Sequence, residues 1–178
     1  MIDVGGGDGS KGDLLRKRYA GSIRAYDCID VAEAPKCTAF SGTTLAPRPD
    51  EDVDVVLMSY MLHHAAENTI SLLQEAPRVA RHWVVVLEDM LGDSESTTFR
   101  EYNHNGCARV AADGTEIKHQ CVYRTHVEWQ ALFGLTGLRM VRNETGSERL
   151  RNCMPMYAVP RGFYLLEPVR RNQPPSSG

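Results

Sequence analysis

The N-terminal segment Ile2-Asp3-Val4-Gly5-Gly6-Gly7-Asp8-Gly9 is the feature that most constrains the fold. A short apolar run with one acid enters a series of glycines, and a helical pattern over 10–19 follows directly. Glycine accepts positive φ angles and lets bare backbone approach a ligand that a Cβ would keep away. The start of the helix presents unpaired N–H groups to an electron-rich ligand. The segment therefore predicts a strand, a tight ligand-binding turn and a helix.

A second acid, Asp30, lies at the end of the apolar run Arg24-Ala25-Tyr26-Asp27-Cys28-Ile29-Asp30. In a strand–turn–helix–strand unit with a glycine-rich turn, an acid at the tip of the second strand binds ribose hydroxyls. The glycines and Asp30 together predict a cofactor that contains adenosine.

Two classes of cofactor fit this pattern. Gly7-Asp8-Gly9-Ser10-Lys11-Gly12 matches the G-x-G-x-x-G pattern of dinucleotide binding. From Asp3 the segment instead reads Asp-x-Gly-x-Gly-x-Gly, which resembles the first motif of class I S-adenosylmethionine-dependent methyltransferases. Asp3 and Asp8 would repel a pyrophosphate, whereas carboxylates favour an ammonium and a sulfonium group. The turn therefore favours S-adenosylmethionine, and a nicotinamide-dependent oxidoreductase is the less favoured alternative.

Length and charge limit the other classes of function. The chain has 178 residues, 42% hydrophobic and 24% charged, which predicts one domain over 1–171 and a disordered tail over 172–178. The net charge of −3 argues against a nucleic-acid partner. No stretch is long and apolar enough for a membrane span, and no signal peptide is recognisable.

The cysteines indicate the redox environment of the protein. The five cysteines are odd in number and form no C-x-x-C pair, and Cys28 falls in a predicted buried strand. We therefore expect free thiols in a reducing compartment and a cytoplasmic protein.

Apolar runs alternate with helical patterns along the chain. Residues 53–60 and 83–89 are nearly continuous apolar runs, which is typical of strands buried on both faces of a parallel sheet. Residues 67–80 between them have apolar side chains at helical spacing, and Pro77 predicts a kink or an early end of that helix. A turn with a short helix is expected over 31–37, followed by a short strand over 38–40.

The C-terminal half continues with a less regular segment, 92–124, expected to be an insertion on the substrate side. Asp113-Gly114 within it is a hairpin-turn signal. Thr125-x-x-Glu128 forms a capping box that opens a helix with Trp129, Leu132 and Phe133 on one face. Two final strands, 137–141 and 157–166, are expected to pair antiparallel at one edge.

This order of elements predicts an α/β fold. We expect a Rossmann-like, seven-stranded, mostly parallel sheet with helices on both faces and an antiparallel edge strand.

The middle of the chain resembles small-molecule and quinone-type methyltransferases of class I. The resemblance rests on three segments: Phe40-Ser41-Gly42-Thr43-Thr44-Leu45-Ala46-Pro47, Val53-Asp54-Val55-Val56 and Leu62-His63-His64. The family usually has Asp where Ser41 stands, and a hydroxyl accepts a hydrogen bond from adenine more weakly than a carboxylate. Family members usually begin with helices before the first strand, whereas this sequence starts inside that strand. Either something else covers the substrate side, or an N-terminal part is missing from the sequence. A protein partner or a second subunit that covers the substrate side is therefore expected.

The resemblance implies a set of site residues. Those implied to bind the cofactor are Asp3, Gly5, Gly6 and Gly7 at the methionine end, Asp30 at the ribose, Val31 and Ser41 with Gly42 at the adenine, and Met58, Ser59 and Tyr60 between them. Met58 also fits a core position equally well.

Candidates for a catalytic base are His63 and Asp89, which follow strand ends on the ligand side. Each also has a structural interpretation, as a hydrogen-bonded loop histidine and as a helix cap. No metal is expected: His104 and Cys107 have a plausible zinc spacing, but His119 and Cys121 are too close in sequence for the usual second pair.

The sequence therefore predicts methyl transfer from S-adenosylmethionine to a small organic molecule. The alternative is a non-catalytic binding or scaffold protein that keeps the fold. Ser59-Tyr60-Met61-Leu62 replaces the Asn/Asp-Pro-Pro-Tyr/Phe motif, which argues against transfer to the amino group of adenine or to a glutamine amide.

Overall fold

A computed structural model describes residues 1–32, 34–91, 108–110, 116–118, 121–147 and 160–170. Its helices and strands are, in chain order, β1 (Ile2–Val4), α1 (Ser10–Arg18), β2 (Asp27–Asp30), β3 (Thr38–Ala39), β4 (Val53–Ser59), α2 (Leu62–Ala65), a 3₁₀ turn (Ala66–Asn68), α3 (Thr69–Val79), β5 (Ala80–Asp89), β6 (Ala108–Val110), β7 (Glu116–Lys118), α4 (His126–Leu135), β8 (Leu138–Ser147) and β9 (Pro160–Pro168). The helices in these ranges include none that is both long and apolar enough to cross a bilayer.

Seven strands form one sheet in the order β3-β2-β1-β4-β5-β9-β8. Strand β9 runs antiparallel to both of its neighbours, and every other neighbouring pair is parallel. This confirms the predicted Rossmann-like α/β fold. The antiparallel strand lies second from the edge, because β8 pairs on its outer side.

The sheet order also positions the helices. The chain moves from β1 to β2 in one direction and from β4 to β5 in the opposite direction. Since such crossovers are right-handed, α1 and α3 lie on opposite faces of the sheet. The order reverses between β1 and β4, and in open α/β sheets ligands bind at the carboxyl ends of the strands at that point.

The core forms where α3 packs on the sheet. The inward face of α3 consists of Leu72, Leu73, Ala76 and Val79, all fully buried. Pro77 lies inside the helix, which ends two residues later at Val79. The helix thus continues past Pro77 to within one residue of its predicted end at 80, so the early end expected from Pro77 is not found.

Two other local predictions are confirmed. The side chains and backbones of Thr125 and Glu128 form the reciprocal hydrogen bonds of a capping box at the start of α4. Trp129 and Phe133 of α4 are buried, and Leu132 packs against the core. Strands β6 and β7 pair antiparallel as a hairpin requires. Residues 113 and 114, like most of 92–120 and the tail over 172–178, lie outside the described residues.

The connection between β2 and β3 differs from the prediction in two ways. Its described residues form turns and a bridge between Ala34 and Cys37, not a short helix. Cys37 is bonded to Cys28 through a disulfide, so the expectation of free thiols is wrong for this pair. The connection is shorter than a helical crossover requires, and the disulfide draws its end back onto β2.

Candidate functional site

The carboxyl ends of four parallel strands border one cavity. It has a volume of about 370 Å³ and lies where β1, β2, β3 and β4 end. Its lining residues are Gly5, Gly7, Asp30, Val31, Phe40, Ser41, Gly42, Tyr60, Met61, His64, Ala65 and Asn68. Seven of the eleven residues predicted to bind the cofactor are in this set. Its position is the one at which a sheet of this order binds ligands.

The glycine-rich turn, Gly5–Gly9, forms the floor of the cavity. The N–H groups of Gly5 and Gly6 both donate to the carbonyl of Ile29, at 2.8 and 3.2 Å, which fixes the turn to β2. Gly7 has a φ of 64°, and a Cβ built on it meets no atom within 4 Å. A side chain at Gly7 would therefore occupy open space beside the cavity in a strained backbone conformation.

Asp30 connects the end of β2 to this turn. One carboxylate oxygen, Oδ2, accepts the N–H of Gly7 at 2.8 Å, and Oδ1 accepts the N–H of Ala32 at 2.9 Å. The residue is only 3% exposed and lines the cavity. Two backbone donors thus hold the carboxylate in one orientation before any ligand arrives.

Asp3 lies behind the turn and does not line the cavity. Its Oδ2 accepts the hydroxyl of Tyr26 at 2.5 Å and lies 3.7 Å from the Lys11 ammonium. Burial raises the pKa of the Asp3 carboxyl, although the Tyr26 and Lys11 contacts act in the opposite direction. Oδ1 is buried and has no hydrogen-bond partner in the described part of the chain. Gly6 packs against Asp3 and also lies outside the lining.

The wall beyond β2 and β3 is formed by Val31, Phe40, Ser41 and Gly42. Val31 is 53% exposed, and a Cβ on Gly42 would lie 2.6 Å from its Cγ1, so the two residues are in close contact. The Ser41 hydroxyl lies 2.9 Å from that of Thr43. This wall therefore offers an apolar surface with a neutral hydroxyl at its edge.

The three residues predicted at the end of β4 have different environments. Met58 is fully buried in the hydrophobic core, as its structural interpretation requires. Ser59 is buried and lies outside the lining, whereas Tyr60 lines the cavity. Tyr60 has a φ of 55°, unusual for a residue with a side chain, and its N–H donates to Leu87 at 2.8 Å. The Arg161 guanidinium lies 5.1 Å from the centre of the Tyr60 ring.

Glu88, which is not among the site residues predicted from the sequence, organises the segment after β4. Its fully buried carboxylate accepts the N–H groups of Met61 and Leu62 at Oε1, at 2.9 and 2.7 Å. Its Oε2 lies 2.6 Å from Nδ1 of His63. The sequence does contain a signal for this role, because Glu88 is an acid within an otherwise apolar strand. A buried carboxylate needs hydrogen-bond partners.

Neither candidate base, His63 or Asp89, is among the residues that line the cavity. The His63 ring is buried against Glu88 and stacks on Tyr123, with ring centres 5.1 Å apart. Burial, with the charges of Asp89 and Glu88, raises the pKa of the Tyr123 hydroxyl. The Asp89 carboxylate accepts a hydrogen bond from Arg161 at 3.2 Å.

Next to His63, His64 lines the cavity. Its Nδ1 lies 3.3 Å from the sulfur of Cys121, and His63, His64 and Cys121 place potential metal ligands within 4.8 Å of one another. Cys121 is disulfide-bonded, so it does not offer a thiolate here. His104, Cys107 and His119 lie outside the described residues.

Comparison with known proteins identifies the fold. No protein-family model and no curated protein matches the sequence. Among solved structures, one chain of the Haloferax volcanii complex between the Trm112 methyltransferase activator and a methyltransferase superposes with a TM-score of 0.69 at 13% identity. The superposition covers 97% of this chain and 83% of that one.

The chain has the class I methyltransferase fold.

Two other solved structures with this fold are an O-methyltransferase and a protein in complex with S-adenosylmethionine. The mitomycin 7-O-methyltransferase MmcR matches with a TM-score of 0.64 at 17% identity, covering 94% of this chain and 48% of that one. LepI in its complex with S-adenosylmethionine matches with the same TM-score at 12% identity, covering 94% and 42%. The present chain thus spans less than half the length of these two proteins.

Proposed function

We propose that this protein transfers a methyl group from S-adenosylmethionine to a small organic molecule. The observation that carries the proposal is the position of the cavity, which joins the glycine-rich turn and the Asp30 carboxylate at the reversal point of the sheet. LepI, a neighbour of the same fold, binds S-adenosylmethionine, and MmcR is an O-methyltransferase.

The cavity suits S-adenosylmethionine in shape and chemistry. Gly7 leaves space at the turn that a Cβ would fill, and Asp30 presents a carboxylate already oriented by two backbone donors. Asp30 would bind the ribose hydroxyls, and Gly5 and Gly7 would lie along the methionine end. Val31, Ser41 and Gly42 would contact the adenine, and Tyr60 would lie between the two ends. We propose that four residues outside the lining support the residues that line the cavity: Asp3, Gly6, Met58 and Ser59.

When bound, S-adenosylmethionine supplies an electrophilic methyl group on a sulfonium. Because the transfer is a direct displacement, alignment of the two reactants supplies much of the acceleration. The protein then needs a base only where the acceptor loses a proton. We assign that role to His63, with Asp89 as the second candidate. The contact of Glu88 with Nδ1 orients the ring and leaves Nε2 to take the proton.

A small acceptor is supported by the character of the described surface. Beyond the residues assigned to the cofactor, the cavity has five further lining residues. Phe40, Met61 and Ala65 give it apolar walls, and His64 and Asn68 add polar groups. The net charge of −3 offers no general attraction for a nucleic acid.

We also propose that a protein partner or a second copy covers the open side of the cavity. Val31 is 53% exposed there, and a neighbour of the same fold forms a complex with an activator protein. Light scattering on the purified chain tests the second copy, and a monomer at every concentration would rule that copy out.

Calorimetric titration with S-adenosylmethionine tests the cofactor. We expect saturable binding by the parent protein and none by Gly7→Val, because the valine side chain fills the space beside the turn. Gly21→Val is the matched control, since Gly21 also has positive φ and no atom within 4 Å of an added Cβ. Both variants carry a similar backbone strain, of about 1–3 kcal/mol. Equal binding by the two variants would contradict the placement of the cofactor.

A screen of small acceptors with labelled methyl donor tests the reaction. Incorporation of label into one acceptor class supports methyl transfer, and its loss in His63→Ala assigns the base. Binding of S-adenosylmethionine without transfer to any acceptor would favour the non-catalytic alternative. Titration with reduced nicotinamide cofactor, followed by energy transfer from Trp83, tests the oxidoreductase alternative.

A further inference from the structure

The Cys28–Cys37 disulfide lies directly beneath the glycine-rich turn. A Cβ on Gly6 would overlap the sulfur of Cys28, and a Cβ on Gly9 would lie 3.4 Å from the sulfur of Cys37. Both cysteines are buried, with 6% and 8% of their surface exposed. The two sulfur atoms therefore form part of the surface on which the turn rests.

The same disulfide closes a ring that contains part of the cavity wall. The bonded residues are nine positions apart, and Asp30 and Val31 lie between them. Asp30 accepts the N–H of Gly7, and Ile29 in the same ring accepts those of Gly5 and Gly6, so three hydrogen bonds join the ring to the turn. Between β2 and β3, the described residues form turns and one bridge and no helix or longer strand. A covalent bond thus adds to the strand pairing of β2 and β3 in holding this wall.

We propose that the Cys28–Cys37 disulfide is a redox-controlled clamp on the cavity, and this proposal rests on the proposed binding of S-adenosylmethionine. In the oxidised protein the clamp keeps Asp30 and Val31 against the glycine-rich turn in the arrangement that binds the cofactor. Reduction releases the connection between β2 and β3, and the cavity then takes this arrangement for only part of the time.

The chemistry is thiol–disulfide exchange with a dithiol. A thiolate of the dithiol attacks one protein sulfur, the Cys28–Cys37 bond breaks, and the other protein sulfur leaves as a thiolate. The second thiol of the reagent then attacks the reagent sulfur of the mixed disulfide and displaces the remaining protein cysteine. The protein pair gains two electrons and two protons, and the reagent becomes a cyclic disulfide. Because both protein sulfurs are buried, attack requires the connection to open first. Bound S-adenosylmethionine must also make the disulfide harder to reduce at equilibrium, since coupling between two equilibria is reciprocal.

The test compares S-adenosylmethionine binding by the full chain before and after reduction with dithiothreitol. If the released wall is competent about a tenth of the time, the apparent Kd rises about tenfold. The Cys28→Ser/Cys37→Ser variant should bind as weakly as the reduced parent, with or without dithiothreitol. If the Kd of this variant still changes with dithiothreitol, that change is due to the other cysteines. Equal Kd values for the oxidised and reduced parent would overturn the clamp.

A second measurement separates failure of the clamp from failure of the cofactor assignment. If neither form binds S-adenosylmethionine, the proposed function fails, and amide hydrogen exchange still decides the clamp. The amides of Gly5, Gly6, Gly7 and Gly9 all donate within this region. We expect them to exchange faster after reduction, and unchanged exchange would refute the clamp on its own.

Discussion

At the scale of single residues, Asp3 is a carboxylate in a place that disfavours its charge. It is fully buried in β1, with the hydroxyl of Tyr26 on one oxygen and no partner among the described residues on the other. Burial is the largest cause of its raised pKa, and it outweighs the hydrogen bond from Tyr26 and the charge of Lys11. The folded protein therefore holds the proton of Asp3 to a higher pH than the unfolded chain does.

This difference predicts a pH dependence of stability. Where the folded state binds more protons than the unfolded state, the free energy of unfolding falls as pH rises. We expect the parent to lose stability relative to Asp3→Asn as pH increases from about 4, the ordinary pKa of an aspartate, until the folded pKa of Asp3 is passed. Urea unfolding of both proteins at several pH values measures this, and parallel stability profiles would show that Asp3 is not the cause.

Asp30 carries a separate prediction about binding. Asp30→Ala removes the carboxylate that would bind ribose, and it also releases the N–H of Gly7 from its acceptor. We expect S-adenosylmethionine binding to weaken by about 1–3 kcal/mol, the range for a charge-assisted hydrogen bond. The control is Asp27→Ala, on the same strand, where the carboxylate is exposed and pairs with Arg48 outside the cavity. A similar loss in both variants would mean that β2 as a whole was disturbed.

Residues whose function depends on their position along the chain could be predicted, and those that depend on distant partners could not. The glycines and Asp30 were predicted because one strand–turn–helix–strand unit fixes their spacing. Glu88 was missed because the amide groups it accepts belong to Met61 and Leu62, on a different strand connection. The sulfur of Cys37 reaches Cys28 only through the path of the connection between β2 and β3, which the sequence pattern did not reveal.

At the scale of elements, helix α2 depends on strand β5. The helix has only four residues and no side-chain cap, so its first N–H groups need acceptors from elsewhere. Glu88 supplies them through one oxygen while its other oxygen holds His63. Helix α2 lines the cavity with His64 and Ala65, and it is thus positioned by the buried Glu88 carboxylate on β5.

The dependence of α2 on Glu88 predicts an asymmetry between two substitutions. Glu88→Ala leaves two buried N–H groups and one imidazole without an acceptor, so we expect a loss of about 2–5 kcal/mol in the free energy of unfolding. Glu88→Gln keeps a carbonyl oxygen for the N–H groups and should lose less than half as much. Urea unfolding compares them directly. Equal losses would show that charge rather than hydrogen bonding holds the start of α2.

At the scale of the whole molecule, alternating apolar runs and helical patterns were enough to predict the fold class. They did not reveal that β9 lies between β5 and β8. That order depends on pairing between strands far apart in sequence, such as Leu87 with Phe163, and a local pattern carries no information about it. The reversal of order between β1 and β4 then placed the cavity where the predicted turn and Asp30 meet.

A cofactor that binds across four strand ends must also stabilise the sheet that holds it. S-adenosylmethionine at about 100 times its Kd adds about 2.7 kcal/mol to the free energy of unfolding. For a domain of this size each kcal/mol raises Tm by about 2–4 °C, so we expect an increase of about 5–10 °C. Reduced nicotinamide cofactor at the same concentration should leave Tm unchanged, because the exposed carboxylate of Asp8 disfavours a pyrophosphate beside the turn. A larger shift with the nicotinamide cofactor than with S-adenosylmethionine would reverse the choice of cofactor, since only a ligand that prefers the folded state can raise Tm.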